Sequence, residues 1–150
     1  VDDSNLHEIY NYRRAEEHIA TAGQPTAEQL AAVAVAGCST VINLGLHGAD
    51  YALPDERSTV ESLGMQYVHI PVIWERPTPE DLARFSGVMS TLEGQDLFVH
   101  CAANVRVTVF LALDRVTRQG WAAERAMATV DLATLPPAWQ QFISDVLARH

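Results

Sequence analysis

The sequence predicts an α/β domain with a central, mainly parallel sheet of four to five strands and helices on both faces. Two observations carry that reading. Short β-branched runs alternate with amphipathic helical patterns along the chain, the order that builds parallel crossover units. The 150 residues, 48% apolar and 19% charged, suit a single globular domain spanning 1–150 with a real core.

In chain order, residues 1–17 are polar, carry Tyr10, Tyr12, Arg13 and Arg14, and read as an irregular lead-in. Residues 18–22 alternate weakly and read as a short edge strand, followed by a turn at Gly23-Gln24-Pro25. Thr26 and Gln29 fit a capping box, and Leu30, Val33 and Ala34 share the face of the helix that follows, up to Gly37. Residues 39–44 read as a buried strand, 45–50 as a loop, and 55–63 as a short helix stopped by Gly64. Residues 66–70 alternate with period two and end at Pro71. Residues 72–77 form a loop with exposed Trp74, Glu75 and Arg76. Thr78 then caps a helix with Pro79 at its first position and a core stripe of Leu82, Phe85, Met89 and Leu92,.

Residues 96–100 are the last strand. From 105 to 116 nearly every residue is apolar, so this helix is buried on all sides. After Gly120, the spacing of Ala123, Ala126, Met127 and Val130 predicts another helix. Trp139, Phe142, Ile143 and Val146 mark a last one beyond Pro136-Pro137.

Charge narrows the partners. The formal net charge is −9, with ten arginines and no lysine. No basic stripe serves a nucleic acid, and any anion must be attracted locally. No apolar run approaches the ~20 residues of a membrane span. No cofactor is expected, and no cysteine–histidine spacing suggests a metal. A chain starting at Val1 fits removal of a targeting segment, which leaves a cytoplasmic or periplasmic location open,.

Chemistry concentrates at His100-Cys101-Ala102-Ala103-Asn104-Val105-Arg106-Val107-Thr108. A strand ends, a short loop begins with a thiol, and a helix follows. Free N–H groups and the positive dipole end make a helix N-terminus an anion site, and such sites lower a cysteine's pKa. Arg106 lies in an otherwise apolar stretch, where a buried guanidinium needs a counter-ion or ligand. Cys38 has no such setting and reads as a core residue.

These residues, with Gln24-Pro25, Val41-Ile42-Asn43-Leu44 and Ile70-Pro71-Val72, resemble the cysteine-dependent phosphatase superfamily in its dual-specificity group. The similarity is to a bacterial branch called beta-lactamase-hydrolase-like or tyrosine-phosphatase-like. It implies the dual-specificity-phosphatase-like fold, Cys101 as nucleophile, phosphate binding by the 102–107 loop with Arg106, a hydroxyl at Thr108 that eases thiolate release, and a carboxylic acid from another loop. It also implies a phosphorylated small molecule or phosphopeptide as substrate.

Two departures stand out. Four residues separate Cys101 from Arg106 where the superfamily usually has five, and Asn104 stands at the usual glycine. Asn tolerates positive φ better than most residues. The usual acid position is Trp74, so neighbouring Glu75 is the candidate acid, with Glu80 and Asp81 further options that a helix's first turn explains equally well. His100 reads as a hydrogen-bonding support of the loop. Asn43 and His47 border the pocket or merely bond within their loop, and Thr108 has a second reading as a helix back-bond. Two alternatives accompany the phosphatase reading: an anion-binding pseudophosphatase and a rhodanese-like sulfurtransferase.

Overall fold

The computed structural model describes residues 1–150. Five strands form one sheet: β1 Arg13–Glu16, β2 Ile19–Ala22, β3 Thr40–Asn43, β4 Gln66–His69 and β5 Leu97–His100. Their spatial order is β1-β2-β5-β3-β4. The last four run parallel, and β1 is antiparallel to β2. The helices are α1 Ala27–Val35, α2 Glu56–Ser62, α3 Pro79–Thr91, α4 Val105–Thr117, α5 Ala123–Ala126 and α6 Pro137–Ala148. None is long and apolar enough to cross a membrane.

Local chemistry explains the helix starts. Thr26 and Gln29 exchange side-chain-to-backbone hydrogen bonds, a full capping box at α1. Thr78 and Asp81 do the same at α3, where Pro79 fills the first helical position. Each box satisfies two N–H groups that the helix itself leaves unpaired.

Strand periodicity divides the core in two. Val41 and Phe98 face one cluster, with Leu30 and Val33 of α1 and Val60 of α2. Ile42 and Val99 face the other, with Phe85 of α3, Phe110 and Leu113 of α4, and Trp139 and Phe142 of α6. The sheet is thus covered on both faces, and β5 lies at its centre.

Four local expectations change. The 1–17 lead-in is not wholly irregular, because 13–16 form β1. With β1 alongside, β2 is an interior strand, paired on both sides and buried throughout. Beyond Gly120, α5 ends at Ala126 and continues only as short 3₁₀ turns at Met127–Thr129 and Leu132–Thr134. Of these residues only Ala126 is buried, too little apolar contact to hold a longer helix in register. Trp74 is half-buried rather than exposed. Its ring lies 5.2 Å from that of Trp139, whose indole N–H donates to the Trp74 carbonyl at 2.7 Å.

Trp139 therefore joins the core beneath α4 to the 72–76 loop. Trp139→Ala should destabilise the fold by about 3–5 kcal/mol, lowering the thermal midpoint by about 10 °C. Circular-dichroism melting tests this.

Candidate active site

Residues Cys101 to Asn104 connect the carboxyl end of β5 to α4, the end of a parallel sheet where ligands gather. The loop's carbonyls turn outward and are met there. The Ala102 carbonyl accepts from the Gln24 N–H at 3.0 Å, and that of Ala103 accepts from Asn11 Nδ2 at 3.0 Å. Asn104 Nδ2 donates to the Asn11 carbonyl at 2.9 Å and to Thr21 Oγ1 at 3.0 Å. Asn104 adopts φ 67°, a left-handed conformation that Asn tolerates in place of glycine. Gly23 is required beside it: a Cβ there would lie 2.6 Å from the Ala102 carbonyl oxygen.

The inner side is different. The N–H groups of Ala102, Ala103, Val105, Arg106 and Val107 donate to no protein acceptor, while that of Thr108 donates to the Asn104 carbonyl. Arg106 is buried, 6% exposed, and has no carboxylate partner. Its Nε donates to the Val72 carbonyl at 2.9 Å, and its guanidinium lies 5.3 Å from the centre of the Trp74 ring. Its two terminal nitrogens have no acceptor. A cavity of about 420 Å³ brings Arg106 together with Ala102, Ala103, Val105, Trp74 and Glu75, and Leu46, Ala49 and Tyr51 complete its wall. Cys101, next to Ala102 in the chain, is fully buried and is not itself one of the residues that line the cavity.

Not every predicted site residue converges there. The Thr108 hydroxyl donates to the Asn104 carbonyl at 2.6 Å, and Thr108 lines a neighbouring groove with Asn11, Arg13 and Asp131. The buried Asn43 Oδ1 accepts from the Gly45 N–H at 2.7 Å, and its Nδ2 donates to the Tyr67 hydroxyl at 3.0 Å. His47 stacks on His69 with ring centres 3.7 Å apart, and its Nε2 lies 2.8 Å from the Tyr67 hydroxyl. Asp81 is taken up by the α3 cap and by Arg84, so Glu75 is the carboxylate that shares the cavity with Arg106. Cys38 is a buried core thiol, which burial pushes up to about 11.

One close neighbour of His100 has no sequence signal. His100 Nε2 lies 2.7 Å from Glu56 Oε2, with both side chains inaccessible. Glu56 Oε1 accepts from Gln24 Nε2 at 2.7 Å. Burial raises the Glu56 carboxyl, but its hydrogen bond to His100, the charge of that ring and the Gln24 amide together hold it below the ordinary carboxylate value. A glutamate in the first turn of a helix reads from sequence as an ordinary dipole complement. Only the fold brings it to a histidine 44 positions away.

The fold, the loop after the central strand and the cysteine at its start define the class: a dual-specificity-type cysteine phosphatase domain. The family model "DSP-PTPase phosphatase fused to NAD+ Kinase" matches residues 1–136, and the chain belongs to that family. A crystal structure of a DUF442 protein from Shewanella putrefaciens CN-32, assigned as a phosphatase, is 32% identical. It superposes with a TM-score of 0.87 over 98% of this chain and 97% of that one. TpbA from P. aeruginosa, solved in complex with pTyr, is 19% identical with a TM-score of 0.63, over 78% of this chain and 69% of its own, and shares the fold. The Beta-lactamase hydrolase-like protein of Agrobacterium fabrum is 29% identical over 103 residues, 67% of this chain. The match spans only 24% of that longer relative.

Two outcomes are expected. Thr108→Val should cost about 1 kcal/mol in urea unfolding, the net worth of one hydrogen bond, and leave turnover of an aryl phosphate within a few-fold. A far larger loss of turnover would put the hydroxyl at the thiol instead. The lowered Glu56 carboxyl contributes stability that is present above its unfolded-state value and lost as pH falls through its folded-state value,. The urea midpoint should therefore fall on acidification below the ordinary carboxylate range, less steeply in Glu56→Gln.

Proposed function

We propose that this protein is a phosphomonoester hydrolase acting through a cysteinyl-phosphate intermediate on a phosphorylated small molecule or phosphopeptide. The observation that carries this reading is the buried Arg106 guanidinium, with its terminal nitrogens unpaired beside five unpaired loop amides. A buried cation without a counter-ion is costly, and together with free N–H groups and a helix N-terminus it suits a bound oxyanion.

In this scheme the Cys101 sulfur attacks phosphorus, and the bond to the leaving oxygen breaks with its electron pair. Glu75 gives that oxygen a proton. Arg106 and the 102–107 amides hold the equatorial oxygens as charge spreads over them. Water then attacks the cysteinyl phosphate and gives a proton back to the Glu75 carboxylate, and inorganic phosphate leaves as the sulfur recovers its electron pair. His100 supports the loop, Trp74 flanks the guanidinium, and Thr108 ties the start of α4. Asn43 braces the 45–51 loop that carries Leu46 and Tyr51 to the cavity.

Leu46, Tyr51 and Trp74 give the cavity an apolar wall suited to an aromatic leaving group. The TpbA complex with pTyr lends that preference support from a relative in fold. Phenols also leave with less help from an acid than alkyl alcohols do.

Steady-state kinetics on p-nitrophenyl phosphate and an alkyl phosphate test the scheme. Cys101→Ser should abolish turnover, and Arg106→Lys should lower kcat/KM by about 10²–10³-fold. Glu75→Gln should slow the alkyl substrate more than the aryl one. Phosphate binding without turnover in the unmodified protein would make this an anion-binding module. A persulfide on Cys101 after thiosulfate would make it a sulfurtransferase.

A further inference from the structure

The least expected group in the core is a carboxylate that the scheme above does not use. Glu56 is 3% exposed and meets the fully buried ring of His100 at 2.7 Å. The other ring nitrogen, Nδ1, lies 3.3 Å from the Cys101 carbonyl oxygen. Both nitrogens thus face oxygens, and neither a carboxylate nor a carbonyl has a proton to give. The arrangement is satisfied on both sides only when the ring donates twice, which makes it an imidazolium. The hydrogen bond from Gln24 to the second Glu56 oxygen keeps the acid in its ionised form. Gln24 also donates its backbone N–H to the Ala102 carbonyl, so one residue braces the carboxylate and the loop together.

We infer that Glu56 is a positioning residue: it holds His100 in the doubly protonated form, which fixes the Cys101 carbonyl and places a positive charge at the start of the anion-binding loop. It acts through the ring and touches no reacting atom. The inference rests on the reading of Cys101 as the nucleophile. The positive charge is adjacent in sequence to Cys101, and the compensating negative charge lies beyond the ring. The pair therefore acts on the sulfur as a dipole with its positive end nearer, favouring the thiolate.

The other titratable groups around this pair are few. Tyr67 of β4 stands next to Glu56, kept protonated by burial. The Arg57 guanidinium lies 5.0 Å from the Tyr67 ring centre. His47 and His69 stack on the far side of Tyr67, and burial lowers His69. None of them is hydrogen-bonded to His100.

Glu56→Gln separates the charge from the packing. Gln keeps an acceptor for Gln24 and offers its own amide to His100 Nε2. The ring can then sit neutral with its Nδ1 proton still on the Cys101 carbonyl. Titrating the ultraviolet thiolate absorbance, as the difference from the matching Cys101→Ser protein, reads the sulfur without requiring turnover or reagent access. The midpoint should rise by about one pH unit in Glu56→Gln, the usual size of one lost charge partner. The acidic limb of kcat/KM should rise with it. Glu56→Gln should add nothing further in a His100→Asn background.

An unchanged or lowered midpoint in folded Glu56→Gln would overturn the inference, and so would a full additional shift in the double variant. If Glu56→Gln does not fold, the ¹⁵N spectrum of His100 in the unmodified protein decides the matter. Two protonated ring nitrogens at pH 7 are expected, and one would overturn it. Absence of phosphatase turnover in the unmodified protein would instead remove the reading beneath the inference, while the spectrum still reports on the ring.

Discussion

The loop from Cys101 to Asn104 can present its amides inward only because its carbonyls are met on the outside. A four-residue connection between a strand and a helix has no regular partner for its peptide groups, and buried unpaired carbonyls are costly. Gln24 and Asn11 take the two alanine carbonyls, and Asn104 reaches back to Asn11 and Thr21. All of these partners come from the segment around β1 and β2. That hairpin is therefore the outer mould of the loop, and Gly23 is the point where mould and loop come too close for a side chain.

The same economy governs the two walls of the site. Arg106 is oriented by the Val72 carbonyl and the face of Trp74, so its terminal nitrogens remain for a ligand. Trp74 is in turn held from behind by Trp139 of α6. A core tryptophan 65 positions downstream thus aims the arginine through one intermediate ring. On the opposite face of the sheet, Glu56 and His100 form a charged pair under β5, beside a core that holds Phe98, Tyr67, Cys38, Met65 and aliphatic chains. Isolated buried pairs stabilise weakly at best, so a role in setting the loop's charge explains the pair better than stability does.

Comparison of sequence and structure follows the range of each interaction. The strands around Val41, Tyr67 and Phe98, the capping boxes of α1 and α3 and the buried α4 were legible because each depends on neighbours within a turn or a strand. The loop with Cys101 and Arg106 was legible for the same reason, and so was the tolerance of Asn104 for positive φ. The strand at 13–16 was hidden because its four residues, Arg-Arg-Ala-Glu, carry no β pattern, and only pairing with β2 makes them extended. The run after Gly120 has helical spacing but too few buried contacts to realise it. Trp74 read as an exposed loop residue because its partner, Trp139, lies on the last helix.

The sequence by itself determined the alternation of strands and helices, the thiol at a helix mouth and the presence of an arginine with no local counter-ion. These follow from periodicity, caps and composition, which act over short stretches of chain. Tertiary structure alone decided which carboxylate shares a cavity with Arg106, that the Thr108 hydroxyl is held by its own helix, and that Glu56 lies against His100. Those are contacts between groups tens of residues apart, or choices among equivalent local partners. Their energies exist only once the sheet has brought the carboxyl ends of β2, β5 and β3 together.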